Sequence, residues 1–113
     1  MRLTANIKQQ DSEVKRLMIY ESEDGVYLFG YDKQFDSSAI WDNWFEKIEY
    51  AFEASQEYGI DKNDWNEIPD PLENCQHDWI EPVRVKGREN GKPEWGIYEK
   101  LINGQWQEIK PNK

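Results

Sequence analysis

Residues 14–31 read VKRLMIYESEDGVYLFGY, and this stretch predicts an antiparallel hairpin. Val14 to Tyr20 is predicted as a strand, with Leu17 and Ile19 on one side and Met18 and Tyr20 on the other. Val26 to Tyr31 alternates with the period of a β-strand. The polar turn between them ends in Asp24-Gly25, whose glycine suits a positive φ. Because the hairpin is apolar on both faces, we expect one face to cover the core. The other should lie under a loop, under the C-terminal strands or against a second subunit.

The sequence after Ser37 and Ser38 predicts one long amphipathic helix. A serine ahead of a periodic apolar pattern is an N-cap signal, because its hydroxyl can accept a hydrogen bond from an unsatisfied backbone N–H. Gly59 is expected to end the helix in the left-handed conformation. One stripe at helical spacing should pack on the hairpin. Its members are Trp41, Trp44, Phe45, Ile48, Ala51, Phe52 and Ser55.

Short strands are expected on both sides of this helix. They are Leu3 to Lys8 before it, and Ile80 to Gly87, Trp95 to Ile102 and Gln105 to Ile109 after it. Asn103-Gly104 joins the last two as a typical hairpin turn. The order of elements predicts an α+β fold, in which one long amphipathic helix packs on one face of a mostly antiparallel β-sheet of about five strands. Residues 1–113 are long enough for a single domain with one core.

Negative charge is concentrated in the middle of the chain, whose formal net charge is −9. Residues 21–78 hold sixteen acidic residues against three basic ones, whereas residues 1–20 and 81–113 are each +2. A strongly acidic domain is repelled by nucleic acid and by anionic membranes, so neither is expected as a direct partner. The N-terminal residues contain no apolar signal core, and Cys75 is the only cysteine, so we expect a cytoplasmic protein.

Residues 60–79 form a long acidic loop that carries two tryptophans. A loop of about twenty residues is unusual in a compact domain, and such loops are often functional. Its carboxylates and indoles could anchor the cationic side chains of a partner. Alternatively, Trp65 and Trp79 are buried and hold a structural loop in place.

Acidic residues three or four apart also form a row on the predicted helix, where like charges repel one another. The row is either a solvated face that favours solubility or a docking surface for a basic partner. We predict the docking surface and assign partner binding to residues of the helix and of the loop. They are Asp42, Glu46, Glu49, Tyr50, Glu53 and Glu57 of the helix, and Asp61, Asp64, Trp65, Asp70, Asp78 and Trp79 of the loop.

Cys75 and His77, the only cysteine and histidine, form a possible nucleophile–base pair with Asp78 beside them. A small enzyme or ligand-binding domain with its site in this loop is therefore an alternative. Two soft ligands are too few for zinc, and the acids lack the spacing of a calcium loop, so no metal or cofactor is expected. A structural or oligomerisation module, in which the hairpin forms a homodimer, is a further alternative.

Basic residues alternate on the strand that begins at Ile80. Arg84, Lys86 and Arg88 share one side, and Lys92 is nearby. Such a ladder could bind an anion, but it is more simply explained by neutralisation of the protein's own acidic loop and helix. It contains too few charges for nucleic-acid binding against a net charge of −9.

In size, charge and expected fold, the chain is similar to small acidic bacterial inhibitor and immunity proteins, which neutralise a basic toxin, often a nuclease. The resemblance implies a protein-binding or inhibitor domain, immunity- or antitoxin-like, rather than an enzyme. Its partner would be a basic protein, such as a toxin or nuclease. Because the resemblance rests on bulk properties, it assigns no role to an individual residue.

Overall fold

The computed structural model describes residues 1–109, in which the backbone contacts form two compact units. The first unit comprises residues 1–35 and 39–70. The second comprises residues 36–38 and 71–109. Antiparallel strands dominate both units, and among residues 1–109 no helix is long and apolar enough to cross a membrane.

A five-stranded antiparallel sheet forms the first unit, in the order β4-β3-β2-β1-β5. Its strands are β1 (Arg2–Asn6), β2 (Arg16–Ser22), β3 (Gly25–Tyr31), β4 (Trp41–Phe45) and β5 (Asn66–Ile68). The predicted hairpin is confirmed, because β2 and β3 pair from Arg16 with Tyr31 to Ser22 with Gly25. Its loop is therefore Glu23 and Asp24, and Gly25 has a φ of 124°. The predicted opening strand is confirmed as β1, which pairs with β2.

The predicted long helix is wrong. Helix α1 covers only Ile48–Ser55, and a 3-10 turn over Gln56–Tyr58 extends it to eleven residues. The residue at its N-cap is Lys47 rather than Ser38. Gly59, with a φ of 74°, ends the helical segment as predicted.

The first third of the predicted helix is strand β4, which pairs with β3 from Trp41 opposite Gly30 to Phe45 opposite Val26. Aromatic residues favour strands, and Asp and Asn are weak helix formers. Trp41 and Phe45 are four residues apart, so they share a face in a strand as well as in a helix. The sequence period therefore could not separate the two structures over these five residues.

Gly30 makes the strand pairing possible. The Trp41 indole lies directly against the Gly30 backbone, where an added Cβ would overlap the ring. Trp41 and Phe45 then pack on a core that contains Leu17, Leu28 and Ala51 of α1. The side of the hairpin that faces α1 is therefore the core face, as expected from its alternation.

The other face of the hairpin is also buried, which confirms that both faces are apolar. Met18 and Tyr31 have no exposed surface, and Phe29 is 7% exposed. The Tyr31 hydroxyl donates a hydrogen bond to Met18 Sδ at 3.6 Å. The Arg16 guanidinium lies 3.8 Å over the Tyr31 ring.

The second unit contains its own sheet, so the predicted single sheet of about five strands is also wrong. Its strands are β6 (Val83–Val85), β7 (Tyr98–Ile102) and β8 (Gln105–Ile109), in that spatial order. The predicted turn is confirmed, because Asn103 and Gly104 both have positive φ angles, of 52° and 81°. The Asp36 carboxylate accepts hydrogen bonds from the Ile80 and Glu81 N–H groups, both at 2.9 Å. These bonds join residues 36–38 to this unit.

Substitution of Gly30 tests the position of β4. Gly30→Ala should lower the free energy of unfolding by about 1–3 kcal/mol, because the added methyl meets the Trp41 ring. In a Trp41→Ala background the same substitution should become neutral or favourable, because the ring is gone and alanine costs less chain entropy than glycine. Urea unfolding of the four proteins measures this coupling. If Gly30→Ala lowers the free energy of unfolding equally with and without Trp41→Ala, the result would contradict the contact between Gly30 and Trp41.

Candidate partner-binding groove

An acidic groove of about 630 Å³ lies between the β2–β3 turn and the start of α1. Its walls belong entirely to the first unit. Five carboxylates and one indole define it, namely those of Glu21, Glu23, Asp24, Glu46, Glu49 and Trp44. Lys47 is the single base in the lining, and none of the five carboxylates forms an ion pair with the described part of the chain. The acidic groove therefore presents an unneutralised negative field.

Trp44 is an exposed aromatic residue held in a fixed position. Its side chain is 54% exposed. The indole Nε1 donates a hydrogen bond to the Asp24 backbone carbonyl at 3.1 Å. The ring also lies on Gly25, where a Cβ would overlap it. Because these contacts already restrict the rotamer, a partner that binds the indole loses little side-chain entropy.

The alternation of β4 places Trp44 in this groove. Successive side chains of a strand point to opposite faces, so Trp44 lies on the face away from Trp41 and Phe45. It is opposite Tyr27 in the pairing with β3. The chain then turns at Glu46 and Lys47 before α1 begins, which brings Glu46 and Glu49 beside the β2–β3 turn.

Sequence reasoning missed four residues of the acidic groove. Trp44 was assigned to the buried helix stripe, and Glu21, Glu23 and Asp24 were treated only as turn residues. The signal for Trp44 was the sequence WDNWF, in which two weak helix formers lie between aromatic residues that favour strands. The signal for the turn acids was their place in the hairpin, which the sequence did predict.

The predicted row of helix acids is not one row in the structure. All six helix residues assigned to partner binding are exposed. Glu46 and Glu49 line the acidic groove. The others are divided among β4, α1 and the 3-10 turn, and they are Asp42, Tyr50, Glu53 and Glu57. Asp42 cannot share a helix face with Glu49, because it lies on strand β4.

Two of the predicted loop acids are held by contacts within the first unit. The Asp64 carboxylate accepts the Asp61 N–H at 2.8 Å and pairs with Lys8 Nζ at 3.0 Å. The backbone bond first and the Lys8 ammonium second hold the pKa of Asp64 below its ordinary value of 3.8. Asp70 pairs with the N-terminal ammonium of Met1 at 2.9 Å.

The loop tryptophans are less accessible than Trp44. Trp65 is partly buried and lies edge-on to Phe52 at 5.9 Å between ring centroids. Trp79 is 6% exposed and, like the half-buried Asp78, belongs to the second unit. The packing of both indoles favours the interpretation of a structural segment, and a role for these residues in partner binding stays a prediction.

Basic residues of the second unit pair with acids of the same unit. Arg84 Nε lies 3.1 Å from Glu99 Oε1 and 3.4 Å from Glu89 Oε2, and its guanidinium stacks 3.8 Å over the Trp106 ring. Lys86 pairs with Glu108 at 3.1 Å, which raises the pKa of Lys86. The ladder does neutralise the protein's own acids. These acids, however, are not the predicted ones of the helix and the long loop.

The Cys75 thiol is 2% exposed, whereas His77 is exposed. A buried thiol is not presented to a substrate from solvent. Across residues 1–109, no group of three or more His, Cys, Asp or Glu side chains is placed to hold a metal ion.

No family model, curated protein or solved structure matches this chain. Its function is therefore argued from the geometry of the acidic groove.

Cys75 should be alkylated slowly in the folded protein. Reaction with iodoacetamide at neutral pH should be about 100-fold slower or more than in guanidinium chloride, because the thiol must first be exposed by local opening. Mass spectrometry of quenched time points measures both rates. Equal rates in the two conditions would show that the thiol is accessible. Such a result would favour the alternative of an enzymatic or ligand-binding site at Cys75 and His77.

Asp64→Asn should lower the thermal midpoint at pH 7, because it removes a charged acceptor from the Asp61 N–H and the partner of Lys8. The pKa of Asp64 is lower in the folded than in the unfolded protein. Its contribution is therefore present above about pH 4 and is lost as the pH falls through the folded-state pKa.

Thermal melts of wild type and variant between neutral and acidic pH measure this difference. The gap between the two midpoints should close on acidification. Asp11→Asn, at an exposed carboxylate of the same unit, is the matched control and should shift the midpoint little at any pH. A gap for Asp64→Asn that persists unchanged in acid would contradict the stated cause.

Proposed function

We propose that this chain is an acidic protein-binding or inhibitor domain, immunity- or antitoxin-like, that captures a basic protein partner in the acidic groove. The observation that carries the proposal is the fixed, exposed Trp44 indole among five carboxylates that have no ion pair in the described chain. An arginine or lysine side chain of the partner would enter this groove.

The chemistry of the acidic groove suits a cationic side chain. A guanidinium can pair with a carboxylate through two parallel hydrogen bonds and can stack on an indole face. The five carboxylates repel one another, and an entering cation relieves that repulsion. Lys47 is exposed, so its ammonium can turn toward solvent when the partner's cation enters.

Charge around the acidic groove would guide association. The net charge of −9 attracts a basic protein, and the exposed Glu53 of α1 and Glu57 of the following 3-10 turn add to the negative surface. Trp44 would supply the desolvated anchor that slows dissociation. If the partner is a nuclease or another basic toxin, these carboxylates would occupy the surface that otherwise holds phosphates.

We place this interaction in a reducing, cytoplasmic setting. Cys75 is the only cysteine of the chain, so no internal disulfide is available. Neither nucleic acid nor membrane is part of the proposed interaction.

Partner capture tests the proposal. The domain should retain a basic protein from a lysate of its source at about 50 mM salt and should release it at about 500 mM, because screening weakens exposed charge pairs. Mass spectrometry identifies the retained protein. Retention of acidic proteins only, or retention that salt does not affect, would contradict an electrostatic capture domain.

Variants then separate the contribution of the carboxylates from that of the Trp44 indole. The triple variant Glu23→Lys, Glu46→Lys and Glu49→Lys, which changes only residues of the acidic groove, should weaken binding of that partner by about tenfold or more, mainly through slower association. Trp44→Ala should mainly speed dissociation. Surface plasmon resonance with purified proteins measures both rates.

The matched control carries lysine at Asp11, Glu13 and Glu67, which are exposed and lie outside the acidic groove. It changes the net charge by the same amount, so it isolates the effect of position. If both triple variants weaken binding equally, only the bulk charge matters and the acidic groove is not the site.

A further inference from the structure

A second cavity of the first unit differs in chemistry from the acidic groove. This apolar pocket has a volume of about 480 Å³ and lies between α1 and the β1–β5 edge of the sheet. Leu3 comes from β1, and Phe52 comes from α1. Gln56 begins the 3-10 turn after α1, and Ile60, Lys62 and Trp65 follow in the next segment.

The polar lining of the apolar pocket consists of Gln56 and Lys62, with no carboxylate. This is unusual here, since residues 21–78 hold sixteen acids and three bases. Four acids are adjacent in sequence to lining residues, namely Glu53, Glu57, Asp61 and Asp64, and none of them lines the pocket. The Asp64 carboxylate is already engaged by Lys8 and by the Asp61 N–H. Lys62 forms no ion pair with residues 1–109.

We propose that the apolar pocket binds a small amphiphilic carboxylate. The aliphatic or aromatic body of the ligand would lie against Phe52, Ile60 and Trp65. Its carboxylate would remain at the rim, where the Lys62 ammonium pairs with it and the Gln56 amide donates a hydrogen bond. The volume falls within the range of roughly 300–1,000 Å³ that is usual for small-ligand pockets. This proposal does not depend on capture of a basic protein by the acidic groove.

Two opposing effects decide which head group binds best. Burial of the apolar body supplies most of the affinity and is the same for any head group. The net charge of the protein disfavours an anion, but long-range charge is screened within about 8 Å at physiological salt. The adjacent Lys62 ammonium is screened much less, so the local attraction should prevail.

Three ligands with the same ten-carbon chain test the proposal: decanoate, decanol and decyltrimethylammonium. Titration of the ¹⁵N-labelled domain should shift the amide signals of Leu3, Phe52, Ile60 and Trp65 with decanoate. Decanoate should bind about fivefold more tightly than decanol, in line with a partly exposed ion pair, and decyltrimethylammonium should bind most weakly.

Lys62→Gln should remove the preference for decanoate over decanol, while Lys92→Gln, at an exposed base outside both the apolar pocket and the acidic groove, should preserve it. Gln56→Trp, at an exposed position, should fill the pocket and abolish the binding of decanoate and decanol. Circular dichroism confirms that each variant is folded.

Several results would overturn the proposal. These are no saturable decanoate binding by the folded wild type, tighter binding of decanol or of decyltrimethylammonium at the amides of the apolar pocket, or a decanoate preference that survives Lys62→Gln. Amide shifts confined to residues outside the apolar pocket would overturn it as well.

Discussion

The close approach of Trp41 to the Gly30 backbone is the contact on which the rest of the first unit depends. A side chain at residue 30 would occupy the space of the indole. Because the position is glycine, the chain after residue 40 can pair with β3 as an edge strand while Trp41 and Phe45 still reach the core. Pairing with β3 satisfies backbone N–H and C=O groups of β4. In a helix over the same residues, these groups would instead form hydrogen bonds within the helix. The helix is consequently short and begins only at Ile48.

The same contact determines what is exposed. Once Trp41 faces the core, the period of a strand forces Trp44 to the opposite face, where the β2–β3 turn offers it a carbonyl acceptor and a glycine surface. The early end of β4 places Glu46 and Glu49 next to the acids of that turn. Asp64 and Asp70, by contrast, have internal partners. Five carboxylates without an ion pair to the described part of the chain thus lie around one exposed indole.

The sequence predicted the parts of the fold that depend on local signals. Alternation and the turn residues were sufficient for the β2–β3 hairpin and for the hairpin through Asn103-Gly104, because each is closed by neighbouring residues. Trp41 and Phe45 were assigned to the wrong element because their spacing fits either structure, and the choice depends on Gly30, which is eleven positions earlier in the sequence. The two-sheet division also depends on such distant contacts, including those of Asp36 with Ile80 and Glu81. Of the candidate site, Glu46 and Glu49 were predicted, whereas Trp44 required knowledge of its strand.

In the proposed function, the acidic groove recognises a cationic side chain through Trp44. The most direct measurement is an NMR titration of the ¹⁵N-labelled domain with a short arginine-containing peptide and with its citrulline counterpart, which has nearly the same shape and no charge. We expect saturable shifts of the Trp44 indole N–H and of the Gly25, Glu46 and Glu49 amides with the arginine peptide, and none with the citrulline peptide. Equal responses to both peptides, or arginine-induced shifts spread over the acidic surface without Trp44, would contradict it.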